Sequence, residues 1–583
     1  MLGIATIVAA AATLADPGAA SEPGSALLQA TPEAIEAWKD MRFGMFLCWG
    51  PVSLTGKEIG WSRGSPPWGR RPGVRGGRGP TLVEVYDNLY KKWKPERFDA
   101  RAWVQVAKDA GMKYLIFLVK HHDGFSLFDT KLSDYKITGP ESAWKVDVMK
   151  AVAEACHEAD LELFIYYSQP DWHHPDYLGP HHERYVEYLH GQVRELLTNY
   201  GRIDGLWFDN LRPVGPETAK LWDAEKLFRM ARGIQPHLVI NNRCGLPGDF
   251  DTPEQHIGHF QADRPWESCC TLGTQWAWKP DDRIKPLGEC VQMLVGCAIG
   301  DGNLALNTNP MPDGRIEPRQ AERFREIGRW TERYGESIYG TRGGPFVAPG
   351  SSTARWQTRD GFRLPGGRWW GGSTYKGDTA YLHVLRWPDE TIELPSPGFK
   401  VVEHAVLTGG EAAVEQDDQG IRVTVPADQR DPLDTIVKLR FDRTLEGVGP
   451  VRARSGSLCV GGKATASGVW PEPHLPAAFA IDDDLATRWG AEPDSRSGWL
   501  EVDLGEPKTF GRLGISEAYD RVRRFELEVE KDGRWQTVYR GTTVGEDFSA
   551  EFKPVTARHV RLNIIEATHV PTIWEFQLFE PEK

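Results

Sequence analysis

A carboxylate that follows a short apolar run is the first candidate for chemistry in this sequence. Asp209 comes directly after the run 205–208, where an unpaired carboxylate would be costly to bury. It is interpreted either as a helix cap or salt-bridge partner, or as a nucleophile at a strand end. A second carboxylate would be needed for acid–base work, and the candidates are Asp249, Asp251, Glu254 and Glu267. Two carboxylates from neighbouring loops suit the hydrolysis of a glycosidic bond.

Other polar residues also follow short apolar runs. They are Lys120, His121, His122 and Asp123 after one run, Tyr166, Tyr167 and Ser168 with Asp171 and Trp172 after the next, and Asn241, Asn242 and Arg243 after a third. If these runs are strands of one parallel sheet, their polar ends meet at the same edge. Packing alone does not explain such a cluster, which predicts a functional site there.

The adjacent histidines His121 and His122 have two interpretations. They would form a metal site if the pair 173–174 or 181–182 completed it. However, adjacent residues on a strand point to opposite faces, and the nearby acidic residues lack a metal-ligand spacing. We therefore expect no metal in this part of the chain, and we expect hydrogen bonds to substrate hydroxyls, or a structural role for one of the two rings.

The elements that must position these residues alternate between strand and helix from about residue 40 to 340. Strand patterns cover 43–49, 114–120, 162–168, 205–209 and 237–243, and helical patterns cover 100–111, 146–159 and 219–234. This alternation predicts a parallel sheet, and a TIM-like (β/α)8 barrel over 34–340 fits the length. A doubly wound sheet is the alternative, but no strand is followed by a glycine-rich dinucleotide fingerprint. In a barrel, chemistry lies at the C-terminal ends of the strands.

Short, turn-bounded β patterns replace the helical ones after about residue 341. They predict a β-sandwich domain over 341–445 and a second, C-terminal β-sandwich over 456–583. The chain of 583 residues carries a net charge of −13, which gives a nucleic-acid partner no global electrostatic support. Its 23 tryptophans favour sugar binding, because an indole face stacks on the C–H face of a pyranose.

The N-terminal segment bears on where the protein acts. Residues 1–25 contain an apolar stretch followed by small residues, although they lack a basic start. We interpret them as a possible signal segment, which predicts a secreted or periplasmic protein. No later run reaches the ~20 apolar residues of a membrane span. The eight cysteines match no zinc or disulfide pattern, so most are expected to be free and buried.

Five motifs in order resemble glycoside hydrolase family 29, the α-L-fucosidases. They are VKHHDGF at 119–125, YYSQPDWHHPDY at 166–177, LLTNYGRIDGLWFDN at 196–210, INNRCGLPGDFDTPE at 240–254 and GNLALN at 302–307. The resemblance covers about 38–340. It implies an exo-acting enzyme that hydrolyses terminal α-L-fucosyl residues of glycans by a retaining double displacement, without a cofactor.

The resemblance also implies roles for individual residues. Asp209 matches the family's nucleophile and Glu254 its acid/base in one branch of the family, with Glu267 as the runner-up or a residue that shapes the site. The positions that match the family's sugar pocket are His121, His122, Tyr167, Trp207 and Arg243.

Two departures from the family pattern concern the first strand and the loop after it. The family usually has a histidine that contacts a sugar hydroxyl where this chain has Cys48, and a thiol is a weak hydrogen-bond partner. A related sugar such as L-galactose is therefore an alternative to fucose. The family's Gly-Glu-Trp-Tyr is altered too, and Glu58 and Trp61 are expected to substitute for it.

The C-terminal domain resembles discoidin, or factor 5/8 type C, modules, which include carbohydrate-binding family 32. The matching segments are AIDDDLATRWGA at 480–491, GWLEVDLGE at 498–506 and RHVRLNI at 558–564. The resemblance implies glycan binding through loops, with a packing module that binds no ligand as the alternative. It also implies a structural calcium ion near Asp482, Asp484, Thr487 and Glu575.

An arginine-rich insertion follows the first strand. Residues 62–80 contain Arg63, Arg70, Arg71, Arg75 and Arg78 and no acidic residue. One hypothesis is that the insertion recognises sulfate or carboxylate groups of a glycan, since arginine binds such oxyanions in bidentate fashion. The other is that it contacts nothing. For the whole chain, three functions stay open: an α-L-fucosidase, a glycosidase for a related or sulfated glycan, and a non-catalytic glycan-binding protein.

Overall fold

The structure is a computed structural model of the chain. It describes residues 27–64, 79–349, 351, 356–357, 362–365, 369–452, 456–471, 475–483, 487–545 and 548–581. The proposed signal segment, residues 1–25, therefore lies outside the described part.

The N-terminal domain alternates strands and helices. Its strands are β1 (Phe43–Leu47), β2 (Arg63–Gly64), β3 (Thr81–Leu82), β4 (Tyr114–Lys120), β5 (Glu162–Ser168), β6 (Gly205–Asp209), β7 (Val239–Ile240), β8 (His256–Ile257), β9 (Glu267–Thr271) and β10 (Asn303–Thr308). Its helices are α1 (Pro32–Met41), α2 (Val83–Tyr86), α3 (Ala100–Asp109), α4 (Val148–Glu158), α5 (His182–Asn199), α6 (Pro216–Trp222), α7 (Ala224–Ile234), α8 (Leu287–Ile299) and α9 (Pro318–Tyr334).

The main sheet of this domain is parallel and curves into a barrel. The strand order is β7-β6-β5-β4-β1-β10-β9. Isolated parallel bridges Asn241–Phe250 and Asp251–Trp266 then join the two edges. The predicted TIM-like barrel is confirmed, but its eighth position is the short segment 250–251 rather than a regular strand.

The barrel strands are buried on both faces, so every side chain of β4 is covered. Alternate residues fill the interior, where aromatic rings need space. A Cβ at Gly44 would lie 2.2 Å from the Tyr114 ring, and one at Gly205 would lie 2.0 Å from the Phe164 ring. Glycine at these two positions therefore lets large rings occupy the barrel centre.

Helix ends follow from local capping. Asp99 accepts a hydrogen bond from the Ala102 amide at the start of α3, and Asp147 accepts one from the Lys150 amide at the start of α4.

The prediction of a single helix within 219–234 is wrong, because the structure has two helices there. Asp223 has a φ of 47°, in the left-handed region, which ends α6 and starts α7 in a new direction.

The second domain is a β-sandwich. Its strands are β11 (Arg342–Val347), β12 (Trp356–Gln357), β13 (Gly371–Lys376), β14 (Thr379–Val384), β15 (Thr391–Pro395), β16 (Val401–Val406), β17 (Ala413–Gln416), β18 (Gly420–Thr424), β19 (Thr435–Phe441) and β20 (Val451–Arg452). One sheet has the order β16-β19-β14-β13-β11-β20 and the other β15-β18-β17. Strand β12 pairs instead with β8 of the first domain.

The C-terminal domain has a separate hydrophobic core, with residues such as Trp489, Phe510 and Phe525 fully buried. Its strands are β21 (Lys463–Ala466), β22 (Trp489–Gly490), β23 (Gly498–Glu517), β24 (Val522–Lys531), β25 (Arg534–Gly541), β26 (Phe548–Ala567) and β27 (Thr572–Phe579). They form one antiparallel sheet in which β23 pairs with both β26 and β27. Register shifts along β23 let it bend as a sandwich requires.

A buried ion pair of the first domain also contacts the first strand of the second domain. The Arg42 guanidinium donates to Asp301 Oδ1 at 2.6 Å and to the Gly302 carbonyl at 3.1 Å. The same Asp301 oxygen accepts from the Gly343 amide at 2.9 Å, and Lys39 lies 3.1 Å from Oδ2. Since Arg42 and Asp301 are 0% and 4% exposed, neither charge has water to replace its partner.

Two properties of the whole chain concern its helices and its cysteines. Within the described residues, no helix is both long enough and apolar enough to cross a membrane. All eight cysteines are buried and none of them forms a disulfide, as the sequence predicts for most of them.

We predict that Asp301→Asn lowers the free energy of unfolding by about 3 kcal/mol, because it leaves the buried Arg42 charge without a carboxylate. Asparagine tolerates the left-handed backbone at this position, where φ is 65°, so the loss reports the charge. The measurement is urea denaturation followed by tryptophan fluorescence. The control is Arg101→Ala, which breaks the exposed pair with Glu158 and should change the free energy of unfolding far less, because water screens an exposed pair. Equal losses for the two variants would contradict the prediction.

Candidate active site

The C-terminal ends of the barrel strands surround a cavity of about 220 Å³. This is below the ~300–1,000 Å³ of typical ligand pockets, so it suits one sugar ring rather than a chain. The cavity is lined by Phe46, Cys48, Ile59, Trp61, Leu118, His121, His122, Tyr166, Trp207, Asp209, Asn210, Leu211, Arg243, Glu254, Cys269 and Trp276. Eleven residues were predicted from the sequence to serve the site. Eight of them line the cavity, whereas Glu58, Tyr167 and Glu267 do not.

Asp209 ends strand β6 and projects into this cavity. Its Oδ2 accepts a hydrogen bond from Tyr166 Oη at 2.6 Å, and its Oδ1 accepts one from Arg243 Nη1 at 3.0 Å. The strand end is fixed by Asn241, whose side chain exchanges two hydrogen bonds with the Phe208 backbone at 2.9 and 2.8 Å. These contacts hold the Asp209 carboxylate in place and leave one of its edges open to the cavity.

Arg243 connects the two candidate catalytic carboxylates. Its Nη1 donates to Asp209 and its Nη2 donates to Glu254 Oε2 at 3.1 Å. Thr252 accepts from Arg243 Nε through its hydroxyl at 2.8 Å and from Nη2 through its carbonyl at 3.0 Å. Burial alone would lower the pKa of Arg243, but the carboxylates of Asp209 and Glu254 raise it above its usual value. The guanidinium is therefore a permanent positive charge.

Of the four second-carboxylate candidates, the structure places Glu254 alone at the cavity. Asp249 is buried in an ion pair with Arg232 and accepts from the Ile240 amide, and Asp251 pairs with Arg264 at 2.8 Å. Glu254 is 42% exposed in its side chain, which leaves it open to solvent and to a leaving group.

The fourth candidate, Glu267, lies beneath the cavity wall. It is 1% exposed, and its carboxylate accepts hydrogen bonds from Tyr114 Oη and, at 3.0 Å, from Trp207 Nε1. Burial raises the pKa of Glu267 to about 7. Its contacts make Glu267 a support for the Trp207 indole, whose ring in turn lies 4.7 Å from the Arg243 guanidinium carbon.

Backbone conformation next to Glu254 is unusual. Gln255 has a φ of 58°, a left-handed value that costs energy for a residue with a side chain. Its amide donates to the Cys269 carbonyl at 3.0 Å, and its side chain contacts Thr271. On the other side, β8 pairs with β12 of the sandwich domain. The loop that carries Glu254 is therefore held from both sides.

The two histidines of the second motif both line the cavity. Burial lowers the pKa of His122 to about 3, with Lys120 and Arg243 adding to the shift, and burial also lowers the pKa of His121. Ser168 Oγ donates to the Pro170 carbonyl at 2.6 Å and therefore accepts from His122 Nδ1 at 2.6 Å. This network leaves His122 Nε2 as an acceptor, 3.6 Å from Asp209 Oδ2.

Tyr166, not the predicted Tyr167, reaches the cavity. Consecutive strand residues face opposite sides, and Tyr167 points outward, where its hydroxyl donates to Gln192 Oε1 of helix α5 at 2.8 Å. Tyr166 points inward and stacks on Trp207 with ring centres 5.6 Å apart. Tyr166 could have been identified from the sequence by pairing β5 with β6, because the residues of β5 that share a face with Asp209 point inward.

Glu58 acts behind the cavity wall, whereas Cys48 and Trp61 form part of it. Glu58 accepts hydrogen bonds from the Trp276 and Ala277 amides at 2.9 and 3.1 Å, and so positions the Trp276 ring at the cavity. Burial raises the pKa of the Cys48 thiol well above its usual value, so it is a neutral group. Trp276 and Cys269 had no place in the sequence motifs.

Metal binding has partial geometric support. Among the described residues, the side-chain ligand atoms of His121, His122 and Asp209 lie within 4.8 Å of one another. The residues proposed to complete the site contact other groups. His173 stacks on Tyr135 at 3.9 Å, and His174 Nδ1 accepts from the Asp176 amide at 3.2 Å. His181 lies 3.6 Å from Glu183, and His182 Nδ1 accepts from the Leu178 amide at 3.2 Å. In the C-terminal domain, both Asp482 oxygens accept from Thr487 Oγ1 at 2.9 and 2.8 Å, and Asp484 lies outside the described residues.

The arginine-rich insertion is described at its start only. Arg63 is 4% exposed and donates to Asp87 at 2.6 and 2.7 Å, so this arginine forms a buried ion pair within the protein. Arg70, Arg71, Arg75 and Arg78 lie outside the described residues, and their role stays a prediction.

Comparison with known protein families agrees with this geometry. The sequence profile of the family Alpha-L-fucosidase matches residues 11–336, which is more than half of the chain. The chain belongs to the alpha-L-fucosidase family. It is therefore a glycoside hydrolase, and the resemblance to family 29 is confirmed. The profile of the F5/8 type C domain matches residues 463–576 of the same chain, which confirms the discoidin-like module.

Individual fucosidases resemble this chain at moderate identity. Human plasma alpha-L-fucosidase is 27% identical over 388 residues, which are 61% of this chain and 77% of that protein. Alpha-L-fucosidase isoenzyme 1 from Paenibacillus thiaminolyticus is 31% identical, with a TM-score of 0.58 over 70% of this chain and 99% of that one. The fucosidase from Vibrio sp. strain EJY3, at 18% identity and a TM-score of 0.64, shares the fold over 96% of this chain and 100% of its own.

We predict that Glu267 makes the fucosidase fold less stable as the pH rises. The pKa of Glu267 is about 7 in the folded chain and near 4.5 when exposed, so the folded state holds a proton that the unfolded state releases. The free energy of unfolding should fall between about pH 4.5 and 7 by an amount of the order of 3 kcal/mol and level off above.

The measurement compares Glu267→Gln with the wild type by urea denaturation at several pH values. The amide carries no titrating proton, so the difference in unfolding free energy between the two proteins should change across this window. Other titrating groups cancel in the difference. A difference that is constant from pH 4.5 to 7 would show that the Glu267 pKa is not raised by burial.

Proposed function

We propose that the chain is a retaining exo-α-L-fucosidase that removes terminal α-L-fucosyl residues from glycans. The observation that supports this most is the pair of carboxylates on one guanidinium: Asp209 and Glu254 lie 3.0 and 3.1 Å from the two terminal nitrogens of Arg243. Carboxylates that share a guanidinium are near neighbours, and retaining glycosidases need a separation of about 5–5.5 Å. A cavity of one-sugar size supports removal of terminal residues.

In the first step of this mechanism, Asp209 attacks the anomeric carbon and the glycosidic bond breaks. Glu254 gives its proton to the departing oxygen. In the second step, Glu254 takes a proton from water, the water oxygen attacks the anomeric carbon, and the bond to Asp209 breaks. The anomeric configuration is therefore retained. A fucosidase from Bacteroides thetaiotaomicron, 23% identical with a TM-score of 0.56, is described as a trapped covalent intermediate.

The polar wall of the cavity would orient the sugar. His122 Nε2 and Asp209 Oδ2, 3.6 Å apart, are both acceptors, so a sugar hydroxyl donor suits the space between them. The neutral state of His122 follows from its lowered pKa. Because it holds no charge, His122 does not compete with Arg243 for the Asp209 carboxylate.

The apolar wall of the cavity favours fucose, a 6-deoxy sugar, over L-galactose. Phe46, Ile59 and Leu118 line it together with the thiols of Cys48 and Cys269. A methyl group packs well there, whereas an added hydroxyl without a partner costs about 1–3 kcal/mol. The alternative, a related sugar, rests on Cys48, because a thiol replaces the histidine that the family usually has at this position.

A panel of nitrophenyl glycosides separates these hypotheses. We expect the α-L-fucoside to be cleaved with a higher kcat/KM than the α-L-galactoside and the α-D-galactoside. A preference for the α-L-galactoside would favour the related-sugar hypothesis. If no glycoside were cleaved while the protein still bound fucosylated glycans, the non-catalytic hypothesis would replace both.

We predict that Asp209→Ala abolishes turnover and leaves the fold intact, because the variant has no nucleophile. Azide should restore part of the activity and give a β-glycosyl azide, since it can attack from the side that the carboxylate occupied. The measurements are nitrophenol release and analysis of the product's configuration. Activity close to that of the wild type without azide would rule out Asp209 as the nucleophile.

We predict that Glu254→Ala slows the cleavage of substrates with basic leaving groups by about 10²–10⁴-fold, because their departing oxygen needs a proton. Substrates with acidic leaving groups should be cleaved much faster than these. The measurement is kcat/KM across a series of aryl fucosides. Glu267→Gln is the control, because its side chain lies beneath the wall and should show no steeper leaving-group dependence than the wild type. The opposite pattern would identify Glu267 as the acid/base.

Three further proposals concern the rest of the chain. The apolar segment within residues 1–25 supports export, which N-terminal sequencing of the mature protein tests.

Oxygen ligands from Asp482, Thr487 and Glu575 fit a hard cation such as Ca²⁺, and a higher Tm with Ca²⁺ than with a chelator tests this site. The arginines at 70–78 support a preference for sulfated glycans, which should weaken with added salt.

A further inference from the structure

Two large apolar side chains stay exposed at the mouth of the cavity. Trp61 is 46% exposed and Leu211 is 49% exposed, although both line the same cavity as Asp209 and Glu254. The deeper wall residues Phe46, Leu118 and Trp207 are buried and lie where the cleaved sugar would bind. Trp61 and Leu211 therefore offer apolar surface to something outside that position.

The Trp61 ring is held in one orientation by its neighbours. It packs edge-on against His122, with ring centres 5.7 Å apart, and against Trp172 at 5.3 Å. Its loop is fixed on both sides: the Gly60 amide donates to Tyr86 Oη at 2.8 Å, and Arg63 pairs with Asp87. A ring that is exposed yet fixed loses little conformational freedom when a ligand stacks on it.

Leu211 is fixed by its neighbour in the chain. Asn210 Oδ1 accepts from the Arg212 amide at 2.7 Å, which makes a tight turn with Leu211 at its tip. Asn210 Nδ2 donates to the Arg243 carbonyl at 2.9 Å and ties this turn to the residue that holds both catalytic carboxylates. Leu211 is thus presented outward beside Asp209.

The order of the barrel strands places these groups around the mouth. Trp61 follows β1 and packs on residues that follow β4 and β5, while Glu254 follows β7 and bridges to Cys269 of β9. Trp61 and Glu254 therefore stand on opposite sides of the mouth, with Leu211, after β6, between them. An acid at Glu254 faces the glycosidic oxygen, so the leaving group must pass through this mouth.

We propose that Trp61 and Leu211 form a subsite for the leaving group, which packs the apolar C–H face of a second sugar ring against the indole. This rests on the proposed fucosidase function and assigns Trp61 to the leaving group rather than to the cleaved sugar. The natural substrate is then a glycan in which the sugar next to the terminal fucose stacks on Trp61. The enzyme would distinguish glycans by the identity of that second sugar.

The test compares substrates that have and lack a ring in the leaving group. α-L-Fucosyl fluoride has none, 2,4-dinitrophenyl α-L-fucoside has an aryl ring, and a fucosyl disaccharide has a sugar ring. For Trp61→Ala, the ratio of kcat/KM for each ring-bearing substrate to that for the fluoride should fall by at least about tenfold. Trp61→Phe should recover part of the ratio, because it restores an aromatic face. Leu211→Ala should lower the same ratio by a smaller factor.

Two controls separate this subsite from other causes. Tyr519→Ala removes an aromatic side chain of similar exposure, 47%, from the C-terminal domain and should leave the ratio at its wild-type value. The dinitrophenyl substrate is the second control: its leaving group needs no proton, so a loss of kcat/KM for this substrate in Trp61→Ala cannot come from impaired acid catalysis.

The outcomes are distinct. If Trp61→Ala slows the fluoride as much as the ring-bearing substrates, Trp61 contacts the cleaved sugar and the subsite is overturned. If neither Trp61→Ala nor Leu211→Ala changes the ratio, the mouth does not hold the leaving group. If the wild type cleaves none of the three substrates, the fucosidase proposal itself is wrong, and the subsite falls with it.

Discussion

The guanidinium of Arg243 is the group on which the site depends. It donates hydrogen bonds to both Asp209 and Glu254, and its carbon lies 4.7 Å from the centre of the Trp207 ring. Two carboxylates at the mouth of a largely buried cavity would repel each other without a cation between them. Because Arg243 remains charged, it holds the pair together while each carboxylate keeps a free edge for substrate.

The barrel supplies the support that keeps this guanidinium in place. From below, Glu267 accepts the Trp207 indole N–H, and Tyr166 stacks on the same ring. From the side, Thr252 accepts two hydrogen bonds from Arg243. Each supporting residue comes from a different strand or loop, so the site exists only when the barrel is closed. The irregular eighth position, 250–251, is the segment that closes it and leads directly into Thr252 and Glu254.

The sequence predicted the strands well because parallel strands are buried on both faces and read as continuous apolar runs. The patterns at 114–120, 162–168 and 205–209 agree with β4, β5 and β6 in full. Two features of the fold could not be predicted from apolar runs or helical periodicity. The break at Asp223 depends on one left-handed residue, which the helical pattern does not reveal. Segment 250–251 closes the barrel with two bridges, which is too short for any periodic pattern.

The residues of the candidate site also fall into those that the sequence predicted and those that it did not. Motifs identified Asp209, Glu254 and Arg243, because these residues follow strands in a fixed order. They did not separate Tyr166 from Tyr167, since that choice depends on which face of β5 turns inward. The tryptophan count was also a weak guide to sugar binding. Residues such as Trp38, Trp49, Trp93 and Trp103 are buried in the core, so much of the tryptophan content serves packing.

The replacement of the usual histidine by Cys48 is best understood through charge and hydrogen bonding together. His121 and His122 already place two imidazole rings at the cavity, and burial lowers the pKa of both, so they are neutral there. A neutral thiol at position 48 keeps the wall uncharged and apolar but removes a hydrogen-bond partner. The methyl group of the proposed 6-deoxy sugar would pack against this wall, which Phe46 and Cys269 share with Cys48. A wall of this kind suits the deoxy sugar that we propose as substrate, because an added hydroxyl would find only a weak hydrogen-bond partner in the Cys48 thiol.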